Sequence, residues 1–94
     1  MKFLHHEFNA GPVDKIRVVL DKQANVRLLD SSNFARYRSG QSHHYHGGLV
    51  TESPYILSPP HYGTWHVVID LGGYSGTVRA SVQLLSQHET AYPW

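Results

Sequence analysis

The sequence predicts an all-β fold: a small antiparallel β-sandwich of jelly-roll type, with about 6–8 strands and one short helical turn near residues 31–38. Three observations predict it. Apolar and polar residues alternate with period two in several separate segments, the spacing of a half-buried strand. Turn-forming residues punctuate the chain roughly every 8–12 residues. Helical spacing is confined to one stretch. The 94 residues suit one domain over residues 1–86, followed by a tail, 87–94, that lacks alternation.

The first strand is "KFLHHEF", ended by "NAGP". "DKIRVVL" follows, with Ile16, Val18 and Leu20 facing inward and Lys15, Arg17 and Val19 outward. "DKQAN" turns the chain into "NVRLLD", where Val26 and Leu28 alternate with Asn25 and Arg27. "DSSNFARYRSG" then breaks the pattern. Asp30, Ser31 and Ser32 are good helix N-cap residues, Gly40 is a stop signal, and Phe34 and Tyr37 share one face of a turn. Their rings are expected to plug one end of the sheets. "SGQSHHYHGGLV" reads as a loop or strand edge, and "YILSPP" as a short strand stopped by Pro59 and Pro60. In "GTWHVVIDLGG", Trp65, Val67, Ile69 and Leu71 face inward, while Thr64, His66, Val68 and Asp70 face outward. "GTVRASVQLL" repeats the alternation with Val78, Ala80, Val82 and Leu84 inward, and the short "GGYSG" connector predicts a hairpin between these two strands. Trp65, Val67, Ile69, Val78, Val82, Val18 and Leu28 are the expected core.

Composition narrows the function classes. The chain has no cysteine, which excludes disulfides, thiol catalysis and thiolate zinc sites. A net charge of +1 gives no global attraction to nucleic acid. The N-terminus lacks the apolar run of a signal peptide, and no window approaches the roughly 18 apolar residues of a membrane span. These features suit a cytoplasmic protein with no membrane partner.

His43, His44 and His46 crowd one loop. In an extended chain His44 and His46 point the same way and could share an ion, with a third ligand needed from His66, His61 or Glu52. The plainer reading is a set of exposed loop histidines with no bound cofactor. Catalysis is not expected. No GxSxG elbow is present, Ser31 and Ser32 are accounted for as caps, and Asp30 and Asp70 as acceptors of turn hydrogen bonds. Arg17, Arg27 and Arg79 all fall on the outward phase and form a cationic stripe if their strands share a sheet; ordinary pairing with Asp14, Asp21, Glu52 and Asp70 is the simpler expectation. Tyr45, Tyr62 and Tyr74 lie in turns, where a ring with a hydroxyl suits recognition. A ligand site is expected where the "HHYHGG" loop meets the "PPHYG" turn.

"NVRLLDSSNFARYRSGQ", followed by "HGG", "SP" and "GTWHVVIDLGGYSGTVRASVQLL", resembles a bacterial group of small all-β proteins known as domain of unknown function 1883. The likeness runs to about Leu85, and "LDSSNF" and "WHVVIDLGG" are its most specific parts. Members of that group sometimes stand beside a TIR-type signalling domain, and the resemblance implies no activity or cofactor. A looser architectural likeness to GOLD and pre-peptidase β-sandwiches implies a non-catalytic module. The expected function is therefore a binding or interaction module for a protein or small ligand, accessory to signalling, with histidine-coordinated metal binding as the alternative. "KFLHHEF" and "YILSPP" are the expected sheet edges. The former needs cover, either inside a sheet or against a second copy in a homodimer to which Tyr92 and Trp94 add apolar contact.

Overall fold

The computed structural model describes residues 2–85; the tail, with Tyr92 and Trp94, lies outside the described residues. Seven strands and one helix follow in the order β1 (Leu4–Ala10), β2 (Lys15–Leu20), β3 (Ala24–Asp30), α1 (Ser31–Arg38), β4 (His46–Val50), β5 (Tyr55–Leu57), β6 (Gly63–Asp70) and β7 (Ala80–Leu85). A four-stranded sheet has the order β1-β6-β3-β4, and a three-stranded sheet the order β5-β2-β7, with every neighbour antiparallel. The expected all-β sandwich with one short helix is the observed architecture. No helix among the described residues is long and apolar enough to cross a membrane.

The core lies where the two inner faces meet. Ile16 and Val18 of the three-stranded sheet pack with Val26, Leu28, Trp65, Val67 and Ile69 of the four-stranded sheet, and all seven are buried. Val78 and Val82, expected to be buried, are only half-buried and pack against the margin of this core. Their sheet has three strands, and β7 is one of its edges, so solvent reaches them from the side.

Two expectations are corrected. First, "GGYSG" does not close a hairpin. β6 lies between β1 and β3, whereas β7 pairs with β2 in the other sheet, so the connector crosses the sandwich. Gly72 takes a positive φ of 65°, which lets the chain leave the sheet directly after Asp70. Second, the outward phase of β6 is not solvated. His66, Val68 and Asp70 are buried because α1 and Phe3 cover the outer face of the four-stranded sheet. Phe34 and Tyr37 join Leu29 and Val68 in this second, smaller core, so the helix covers a sheet face where an end plug was expected.

The helix forms where the sequence signals it. Asp30 is still extended, at φ −73° and ψ 173°, and its carboxylate accepts the Asn33 N–H at 2.8 Å. Arg36 and Arg38 stand in the last turn, where the helix dipole favours cations. "HGGLV", read as a loop or strand edge, forms the edge strand β4. Gly47 makes its pairing with β3 possible: a Cβ there would stand 2.2 Å from the Val26 carbonyl oxygen, at a φ of 114°. "KFLHHEF" becomes β1, which among the described residues is an edge strand paired with β6 alone.

Candidate functional site

Alternation along β1 places His5 and Glu7 on the outer face of the four-stranded sheet. The β1–β6 register sets Glu7 opposite His66 and His5 opposite Val68. Three titratable side chains therefore converge beside the start of α1. His5 Nε2 and His66 Nδ1 are 2.8 Å apart, Glu7 Oε1 is 3.8 Å from His66 Nδ1, and all three donor atoms lie within 4.8 Å of one another. On its far side, His66 Nε2 meets the Ser31 hydroxyl at 2.9 Å. Phe34 stacks on both imidazoles, with ring centroids 4.2 Å from His5 and 4.4 Å from His66.

Burial holds the imidazolium of His66 below its ordinary range, and the neighbouring His5 pushes the same way against Glu7 and Asp30. His5 is lowered too, by burial first, with Glu7 opposing and His6 and Arg38 assisting. The facing nitrogens stand at hydrogen-bond distance, with the donor set by the tautomers of the two rings. Ser31, expected only as a cap, has a different partner: Asp30 is the cap, which frees the Ser31 hydroxyl for His66.

A second polar network lies further along the same face. Asp70 accepts hydrogen bonds from the Tyr37 hydroxyl at 2.7 Å, the Asn25 amide at 2.9 Å and the Gly72 N–H at 2.8 Å, and pairs with the Arg27 guanidinium. Burial alone would raise its pKa, but these four donors together hold the carboxyl below its ordinary range. Burial and the bond to Asp70 push the Tyr37 phenol upward. The Arg27 guanidinium lies between two rings, 5.5 Å from the centroid of Tyr37 and 5.1 Å from that of Tyr45.

The residues singled out from the sequence are thus distributed as follows. Arg27 and Tyr45 are brought together, on the outer face. Arg17 lies on β2 and Arg79 just before β7, in the other sheet, so no three-arginine stripe forms. The Arg79 N–H is held by the Asp21 carboxylate at 2.8 Å. The "HHYHGG" and "PPHYG" segments each approach Trp65: its ring lies 6.1 Å from that of His46 and 4.9 Å from that of His61, and its Nε1–H donates to the His61 carbonyl at 3.0 Å. His66 is one residue further along β6 and faces the opposite side of the sheet, so it does not join His46 and His61. His44 is exposed, its N–H bonded to the Asn33 side chain. His5 and Glu7 were not singled out, although the "H-x-E" spacing within a predicted strand already puts both on one face.

Tyr62 and Tyr74 are both exposed, and Tyr74 borders a groove. That groove, of about 320 Å³, runs between the β2–β3 turn, β4 and the β6–β7 connector, bounded by Lys22, Gln23, Asn25, Leu49, Tyr74 and Ser75. Leu49 is 64% exposed and Tyr74 84% exposed, high values for residues with this much apolar surface.

Searches of the curated proteins and of the solved structures each gave no match. A family model, described as a domain of unknown function, DUF1883, matches residues 1–88. With the whole described sandwich inside that match, the chain belongs to the DUF1883 family.

Proposed function

We propose that this domain is a non-catalytic binding module that takes a small polar ligand with one apolar face, such as a saccharide or nucleoside, in the groove beside Tyr74. The single observation that carries the reading is the pair of exposed apolar side chains, Leu49 and Tyr74, at the rim of a groove that Ala24 and Leu71 also line and that amide, ammonium and hydroxyl groups border. An apolar platform with a few convergent polar groups suits a ring-shaped polar ligand. The near-neutral charge supports a partner other than nucleic acid, and the absence of cysteine supports a cytoplasmic setting. The non-catalytic part of the reading rests on the Ser31–His66 pair: the other nitrogen of His66 faces a second imidazole at hydrogen-bond distance, with the Glu7 carboxylate further away.

The test is titration of the ¹⁵N-labelled full chain with a panel of neutral saccharides and nucleosides. The expected result is saturable shifts of Gln23, Asn25, Leu49 and Ser75 amides, lost in Tyr74→Ala while its urea midpoint stays unchanged. Saturable shifts elsewhere, shifts that survive in Tyr74→Ala, or a silent panel would remove the groove from the account.

A further inference from the structure

We propose that His5, Glu7 and His66 form a site for one divalent transition-metal ion, zinc by preference. The two ligands on β1 are spaced i, i+2 on one face, and the third stands opposite on β6, so the backbone register alone brings three donors to one point. In a tetrahedral zinc site with bonds of about 2.0–2.1 Å, neighbouring donor atoms stand about 3.3 Å apart. The present separations of 2.8 Å and 3.8 Å bracket that value. Reaching it needs shifts of about half an ångström on these two sides, and the exposed His5 and Glu7 donors, within 4.8 Å of each other, must close by up to about 1.5 Å. The two side chains asked to move are those of exposed residues, His5 and Glu7, while buried His66 stays in place.

His66 is held in the orientation such a site needs. A zinc-bound imidazole presents one nitrogen lone pair to the ion and donates its other N–H to a fixed acceptor. Here the Ser31 oxygen, placed by the capped first turn of α1, stands 2.9 Å from Nε2, and in the tautomer protonated there it accepts from Nε2 and leaves the Nδ1 lone pair aimed at His5 and Glu7. Phe34, stacked on both rings, keeps them from turning away. The hydrogen bond now joining the two imidazoles is the one the ion replaces: a tautomer change at His5, with its proton moved to Nδ1, turns Nε2 from donor to ligand without loss of a proton. Two imidazoles and one carboxylate select a borderline ion over magnesium or calcium, which prefer all-oxygen shells. Three protein ligands leave a fourth position, on the side of the site that β1, an edge strand, leaves open to solvent.

The experiment uses the full chain without a polyhistidine tag, stripped by chelator and titrated with zinc against a chromophoric competitor, with cobalt absorption reporting geometry. The expected result is one ion per chain, tetrahedral cobalt bands and a higher melting temperature with zinc. Affinity should fall more than tenfold in His5→Gln and in Glu7→Gln, both substitutions of exposed residues that leave the fold intact. Ser31→Ala should weaken binding about 10- to 100-fold through loss of orientation alone, whereas Ser32→Ala changes it less than twofold. Folded protein that takes up no stoichiometric zinc overturns the proposal. So does zinc held equally well by His5→Gln and Glu7→Gln, or lost instead in His44→Gln/His46→Gln.

Discussion

Replacing Asp70 with Asn removes one charge and turns one of its two acceptor oxygens into a donor, so its cost measures the polar network beneath α1. The Asp70 side chain is fully buried, and that of its partner Arg27 is 19% exposed. Removing one partner of a buried pair costs about 3–5 kcal/mol, because the other charge stays behind without compensation. Asn keeps one carbonyl oxygen, for either the Oδ1 donors Asn25 and Gly72 or the Oδ2 donors Tyr37 and Arg27, while Arg27 keeps some access to water, so about 3 kcal/mol is expected. With an m-value of about 1–3 kcal/mol/M in urea, the midpoint falls by about 1–3 M. The pH dependence carries a sign. Asp70 has a folded pKa below its ordinary value of 3.8, so its stabilisation is present above that value and lost as pH falls through the folded pKa. The gap between wild type and Asp70→Asn should therefore be full at pH 7, narrow below about pH 4, and close as the folded carboxyl is protonated. Urea titrations at pH 7 and at successive values below 4 measure it. A gap of the same size at every pH would show that Asp70 acts through shape alone, and a gap below about 1 kcal/mol at pH 7 would refute the buried-pair reasoning.

Trp65→Ala should cost about 3–5 kcal/mol, since it empties the space between the sheets and leaves the His61 carbonyl without its donor; an unchanged thermal midpoint would contradict this. Gly47→Ala should destabilise more than Gly48→Ala in the same urea assay. Both glycines have positive φ, at a cost of about 1–3 kcal/mol for a side chain, but only at Gly47 does the new Cβ meet a backbone oxygen.

Period two was enough to place β2, β3 and β6 and to phase their inner faces, and one capping carboxylate was enough to place α1. What it concealed was the second buried face. Leu28–Leu29 and Val67–Val68 are consecutive apolar pairs in neighbouring strands, the mark of strands covered on both sides, and reading them as simple alternation sent Val68 and His66 to solvent. The spurious hairpin had a warning too. The outward residues of β7 and its lead-in, Thr77, Arg79, Ser81 and Gln83, are all polar, whereas those of β6 include Val68, so the two strands do not suit one outer face. The β1–β6 register had no local signal, because the two strands are joined by most of the chain. Without that register, His5 and Glu7 could be placed on a face but not beside His66.

The position of β6 also dictates the order in which the molecule comes into being. It is the strand both β1 and β3 need, and Leu4 meets Ile69 just as Lys15 meets Leu85. A chain leaving the ribosome N-terminus first, at about 5–20 residues per second, therefore carries β1 and β2 unpaired for seconds before either partner exists. Closing such long loops must precede the contacts that reward it, which favours one late, concerted collapse over stepwise growth from the N-terminus. The strands made first are among the last to find their partners, and during that interval the exposed β1 segment is free for a chaperone or a neighbouring nascent chain to pair with it.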